Sequence, residues 1–155
     1  MQAIDVANWS IERANRDEVD ESTGEGISNL KLQKILYFAQ AAYLALNGKD
    51  SPLFEDDIVA WKYGPIVESV YKKLKANKAA PIKKPTDKSY LDTLDSEKIK
   101  FLEDVWELFG KYSAAKLVQL SHDHTPWKNA YARGAGTVIT KPELYQYYNG
   151  LFQAS

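Results

Sequence analysis

Cysteine is absent from the 155 residues, which rules out a disulfide framework, a zinc-thiolate or iron-sulfur site and a cysteine nucleophile. An excess of charge is also missing: twenty Lys and Arg stand against twenty-one Asp and Glu, for a net charge of −1. Dedicated nucleic-acid-binding domains usually carry a strong basic surplus, so no direct nucleic-acid binding is expected. The longest apolar stretch, Ile35 to Leu46, is broken only by Gln40. It falls short of the roughly 18 residues that a membrane-spanning helix needs, so it reads as a buried helix and no membrane association is expected. The opening MQAIDVANWSIERAN has no basic start followed by an apolar core and no small-residue cleavage site, unlike a secretory signal. A cytoplasmic protein is expected. Finally, no Gly-rich phosphate loop, GxSxG elbow or HExxH helix occurs, and the lone Gly134-x-Gly136 lacks the strand and helix a nucleotide site requires.

What remains has the size and composition of one domain over 1–155 with a core that needs no cross-link. Ile4, Ala7 and Ile11 share a helical face over residues 2–14, and the acidic stretch NRDEVDESTGEG then reads as a surface loop. Ser28 is placed to cap a second helix, in which Leu32, Ile35, Leu36, Ala39, Ala42, Tyr43 and Leu46 recur at helical spacing. Because its other positions after Lys34 are also nearly all apolar, this helix, about 28–47, is expected to be surrounded on every side and to be the centre of a mainly α, compact domain. Asn47-Gly48 and Pro52 end it.

Small β pieces are expected near 57–63 and 137–139. Gly64-Pro65 is read as the end of the first piece and the opening of a helix over 65–76. The basic, proline-punctuated run between Asn77 and Tyr90 reads as an exposed, mobile connection. Ser96 looks like the cap of a helix striped with Ile99, Leu102, Val105, Trp106 and Phe109 that stops at Gly110. Further helices start at Ser113, at Pro126 and at the capping-box pair Thr140 and Glu143.

Charge is unevenly spread. Before Leu30 seven acids face only Arg13 and Arg16, while Lys72 to Lys88 holds seven lysines and one acid, Asp87. Such polarity can steer a partner, and it can equally be a pair of solubilising surfaces.

Two constellations could carry function. His122-Asp123-His124 gathers both histidines with a carboxylate, which raises a metal or acid-base site and with it a small metal-dependent hydrolase. Against it, residues two apart on a helix point to different sides, and no further His or Cys completes a coordination sphere. No cofactor is expected. Trp61-Lys62-Tyr63-Gly64-Pro65 combines rigid aromatic rings, a cation and a stiff turn, the chemistry of protein-binding hot spots, though Trp61 and Tyr63 could also pack inward on the central helix.

Three blocks, Ile27-Ser28-Asn29-Leu30-Lys31-Leu32-Gln33-Lys34-Ile35-Leu36-Tyr37-Phe38-Ala39-Gln40, Pro52-Leu53-Phe54, and Ala60-Trp61-Lys62-Tyr63-Gly64-Pro65-Ile66-Val67, resemble the Panacea domain of SocA-like and GepA-like, phage-associated proteins. Ser121-His122 followed by Thr125-Pro126-Trp127 resembles that family's polar-His and Pro-Trp element, here with the extra His124 inside it. The resemblance implies a mainly helical fold with small β pieces. It also implies an antitoxin, not an enzyme, that neutralises a toxin encoded by an adjacent gene by forming a complex with it. Some relatives instead hand the toxin to a protease, so a proteolytic adaptor working with a protease or chaperone is the alternative. No catalytic residues carry over. Contacts are expected at Trp61, Lys62, Tyr63 and Pro65, with Lys31 and Lys34 as electrostatic anchors on the polar side of the central helix.

Overall fold

In the computed structural model, residues 1–19, 26–78 and 80–152 are described. Helix α1 spans Ala3–Val19, and Ala3, Val6, Ala7, Ile11 and Ala14 are buried along it. The helix runs five residues past the expected stop at Ala14 and takes in the first residues of the supposed loop; acidic residues are ordinary helix formers and do not by themselves end a helix. Residues 20–25, the rest of that loop, lie outside the described residues.

Helix α2, Asn29–Asn47, is the centre of the molecule, with α1, the helices Glu68–Leu74, Ser96–Phe109, Ala114–Asp123 and Lys141–Tyr148, and a small sheet packed around it. Ser28 Oγ accepts the Lys31 N–H, and Gly48 at φ 105 ends the helix as expected. Three polar residues of its buried surface, Gln33, Lys34 and Gln40, each hold the backbone of a segment that follows. Gln40 donates to Phe54 O and accepts from Leu53 N–H, both at 2.7 Å. Gln33 Oε1 accepts the Val67 N–H at 2.8 Å. Lys34 Nζ donates to Pro65 O at 3.1 Å. An unpaired buried backbone group costs about as much as a lost hydrogen bond, so these side chains fix where the irregular segments dock.

The sheet consists of β1 (Ile58–Trp61), β2 (Gly64–Ile66) and β3 (Val138–Ile139), antiparallel in the order β2-β1-β3. Both expected β pieces are therefore present. The expected helix at Pro65 is not: Gly64 and Pro65 form a strand, and helix α3 begins only at Glu68 and ends at Leu74. Pro65 is tolerated because β2 is an edge strand and because its neighbour Ala60 spends its own N–H and C=O on Thr137 and Gly136, on the opposite side.

A short 3-10 turn, Lys75–Asn77, leads into the basic connection. This stretch is irregular, as expected, yet it is pinned: Ile82 is buried and bridges Ile27, and Thr86 exchanges hydrogen bonds with Asn8. Helix α4 is a single turn, Tyr90–Thr93. Helix α5, Ser96–Phe109, is capped by Asp95 and not by Ser96, its carboxylate accepting the Lys98 N–H. Helix α6, Ala114–Asp123, starts at the expected Ser113 cap; α7, Thr125–Arg133, carries Pro126 in its first turn; and α8, Lys141–Tyr148, opens on the full Thr140/Glu143 capping box. The domain is mainly helical around one core, and no helix among the described residues is long and apolar enough to cross a membrane.

Candidate partner-binding site

Strands β1 and β2 form a hairpin whose tip is Lys62-Tyr63, with Trp61 opposite Gly64. The positive φ of the turn falls on Gly64, at 106, which lets two ordinary residues occupy the tip. Lys62 is exposed, Tyr63 is 61% exposed and Trp61 is half-buried. The tip thus presents two aromatic rings and a cation, and Lys62 Nζ lies 5.6 Å from the Tyr63 ring centre.

Behind the tip stands a buried polar frame. Trp127 Nε1 donates to Trp61 O at 2.9 Å, and Lys34 reaches Pro65 O from within α2. His122 stacks on Trp127 at 3.9 Å, and Trp127 stacks on Tyr131 at 4.9 Å. Burial lowers the His122 pKa, the nearby Lys34 charge adds to this, and a bond with the Lys62 backbone opposes it. The His122 Nε2 atom is buried and has no hydrogen-bond partner. Burial also lowers the Lys34 pKa, from 10.5 to about 7. The fit at Gly64 is tight: a Cβ there would lie 2.7 Å from Lys34 Cε and 2.9 Å from Ser121 Oγ.

The polar face expected for Lys34 is corrected by this arrangement: the side chain is 0% exposed, covered by the hairpin and α6. A buried amine cannot anchor a partner electrostatically, and its role is to hold β2. Pro65 is also buried and shapes the hairpin from inside. Lys31 is half-buried and projects to the end of α5, donating to Gly110 O at 2.6 Å and lying 5.7 Å from the Trp106 ring centre.

His122, Asp123 and His124 diverge. His122 faces Trp127, Asp123 is exposed, and His124 Nδ1 pairs with Tyr148 Oη at 2.8 Å, which in turn meets Tyr37 Oη at 2.9 Å. Burial lowers the His124 pKa and raises those of Tyr37 and Tyr148. Among the described residues no three His, Asp or Glu side chains come together as a metal site would need.

Beside the hairpin opens a cavity of about 720 Å³. Trp61, Lys62, Tyr63 and Ile66 form one wall, Ser28, Asn29 and Leu30 at the start of α2 another, and Tyr71, Lys78, Tyr131, Ala135 and Gly136 close it. Tyr71 packs edge-to-face on Trp61 at 5.0 Å. Sequence reasoning found the hairpin wall and missed the others, because α2 and α7 meet it only through tertiary packing. The sole local sign was Asn29, a polar residue one turn before Gln33.

Residues 32–128 match the family described as Antitoxin SocA-like, Panacea domain. The chain belongs to this family. It is 34% identical over 149 residues to Antitoxin SocA of Caulobacter vibrioides, an alignment covering 88% of this chain and 74% of that protein. No solved structure matches the chain. The family match includes the frame residues Gln33, Lys34, Gln40, His122 and Trp127 as well as the hairpin, so in this Panacea domain the matched region is the part that builds and supports the exposed tip.

Proposed function

We propose that this chain is an antitoxin that neutralises a protein toxin by binding it directly through the β1–β2 hairpin and the adjoining cavity, without catalysis. The observation that carries this reading is the exposed Lys62-Tyr63 tip, with the half-buried Trp61 behind it, seated on a hydrogen-bonded frame beside an aromatic cavity, in a member of an antitoxin family. Rigid aromatic side chains that project from a fixed backbone lose little entropy on binding and commonly dominate interface energy. The frame supplies that rigidity: α2 and α7 hold the strands on either side of the tip through Lys34, Gln33 and Trp127.

The proposed partner is the protein encoded by the adjacent gene. Co-expression of the two, scored for growth rescue and for co-purification, tests the reading. Rescue with a stable complex that Tyr63→Ala weakens by about 30-fold, the scale of a 2 kcal/mol hot spot, supports it. Rescue accompanied by disappearance of the toxin replaces direct blocking with a proteolytic adaptor. No rescue and no complex refutes both.

A further inference from the structure

We propose that the cavity beside the hairpin receives an acidic segment of the protein partner, with a carboxylate held at the start of α2 and its apolar neighbour held against the aromatic wall. This rests on the reading that the hairpin face is the binding face. Three independent features of the cavity point to an anion.

The first is an unpartnered donor. Gln33 Oε1 is taken by the Val67 N–H, so Gln33 Nε2 is the group that donates to Asn29 Oδ1, at 2.9 Å. That chain of bonds fixes the orientation of both amides. It leaves Asn29 Nδ2 without a partner in a residue only 4% exposed that lines the cavity. A buried N–H donor with no acceptor is costly and rare, and an oxygen from outside would satisfy it.

The second is the helix end. The first N–H groups of a helix have no intrahelical partner and favour negative charge. In α2, a 19-residue helix with no acid in its first turn, Ser28 satisfies the N–H groups of Lys31 and Leu32. Those of Asn29 and Leu30 remain beside the cavity.

The third is charge. Lys62 and Lys78 stand at the cavity, no carboxylate among the described residues lines it, and the exposed Lys72, Lys73 and Lys75 follow along α3 and the turn after it, with Lys72 3.9 Å from Glu68. The rest of the wall is aromatic and aliphatic, so the charged group of an occupant would be flanked by an apolar one. A protein segment is favoured over a small ligand because Tyr63, part of the wall, is nevertheless 61% exposed at the hairpin tip, and only an occupant that extends beyond the cavity would cover the rest of its ring.

The test needs no knowledge of the toxin. The isotope-labelled full chain is titrated with phenylacetate, with 2-phenylethylamine, which carries the opposite charge on the same ring, and with adenosine monophosphate, and the Asn29 side-chain amide and Trp61 indole resonances are followed. Phenylacetate is expected to move both, the amine to move neither, and Asn29→Asp to weaken the phenylacetate response at least roughly tenfold. Aspartate at this position keeps the acceptor for Gln33 and suits a helix start, and an amide spectrum unchanged away from the cavity is the control that the variant is folded. Equal responses to carboxylate and amine, or no response at the Asn29 amide, overturn the proposal; tighter binding of the nucleotide overturns it in favour of a nucleotide pocket. In a second arm, the adjacent-gene protein is titrated against the full chain. If the wild type binds it and Asn29→Asp and Lys62→Glu bind it as tightly, this inference fails while the proposed function stands. If no such protein binds but phenylacetate is still selected, the proposed function fails and the carboxylate preference of the cavity stands by itself.

Discussion

Lys34 offers a direct measurement of what the frame costs. Its amine is fully buried and the hydrogen bond it makes is to Pro65 O, while burial moves its pKa from 10.5 to about 7. Above pH 10.5 the amine is neutral in both the folded and the unfolded chain, and its charge costs nothing. Below pH 7 it is protonated in both, and the folded state bears the full cost of burying the charge. Between these limits only the unfolded chain holds the proton, so stability rises with pH, by up to about 1.4 kcal/mol per unit. At pH 7 the remaining cost is about 4 kcal/mol, and raising the pH to 9 removes about 2 kcal/mol of it. With a urea dependence of about 2 kcal/mol per molar, the unfolding midpoint of the wild type should move up by about 1 M over that interval.

Lys34→Met keeps an unbranched side chain, one atom shorter, and discards the charge. It leaves Pro65 O without this donor, a loss of about 1 to 3 kcal/mol, against the 4 kcal/mol recovered. The variant should therefore be more stable than the wild type at pH 7 by roughly 1 to 3 kcal/mol, with a midpoint that no longer depends on pH between 7 and 9. Urea unfolding followed by tryptophan fluorescence at several pH values gives both quantities. Parallel pH profiles for the two proteins would refute the reasoning, because they would mean that Lys34 titrates alike in the folded and unfolded states.

Three further outcomes follow from single sites. Gly64→Ala forces a side chain into φ 106 and into the space of Lys34 Cε and Ser121 Oγ; thermal unfolding should show a loss above about 2 kcal/mol, or roughly 4 to 8 °C. Thr140→Ala removes the side-chain half of the α8 capping box, the Oγ1 that accepts the Glu143 N–H, while the backbone N–H to Glu143 Oε2 remains; it should cost about 1 kcal/mol by the same assay without changing affinity for the toxin, since α8 does not line the cavity. His122 and His124 both have lowered pKa values, so the unfolded chain takes up protons first and stability should fall as pH drops below 6.5. Replacing both with Gln should flatten that part of a urea-midpoint profile.

The helices were legible because their signals are local. Ser28, Ser113 and Thr140 cap where their side chains can reach the third N–H that follows, and the apolar run after Lys34 marks a helix with no solvent face. Besides local slips at the end of α1 and at the Asp95 cap of α5, the errors fall where a distant segment decides. Pro65 would open a helix in isolation; it is a strand because Ala60 turns its hydrogen bonds toward β3, some seventy residues later in the chain, and leaves an edge that tolerates proline. Ile82 is buried in a basic stretch because Ile27 pairs with it. Neither partner can be read from the neighbouring sequence.

The site was half legible for the same reason, with Lys34 as the instructive case. Read as a lysine, it belongs on the surface. Read by position, it lies on a face with Leu30, Tyr37, Phe38 and Ala41, at intervals of three, four and seven, all apolar, and periodicity places that face inward. The structure sides with position. A charged residue on an apolar helical face marks a point where a later segment brings a buried polar group, here the Pro65 carbonyl. Gln33 and Gln40 obey the same rule, for Val67 and for Leu53 and Phe54. Asn29 departs from it, since its Nδ2 has no hydrogen-bond partner among the described residues. A polar residue whose segment partner is missing is where a partner from another molecule should be sought.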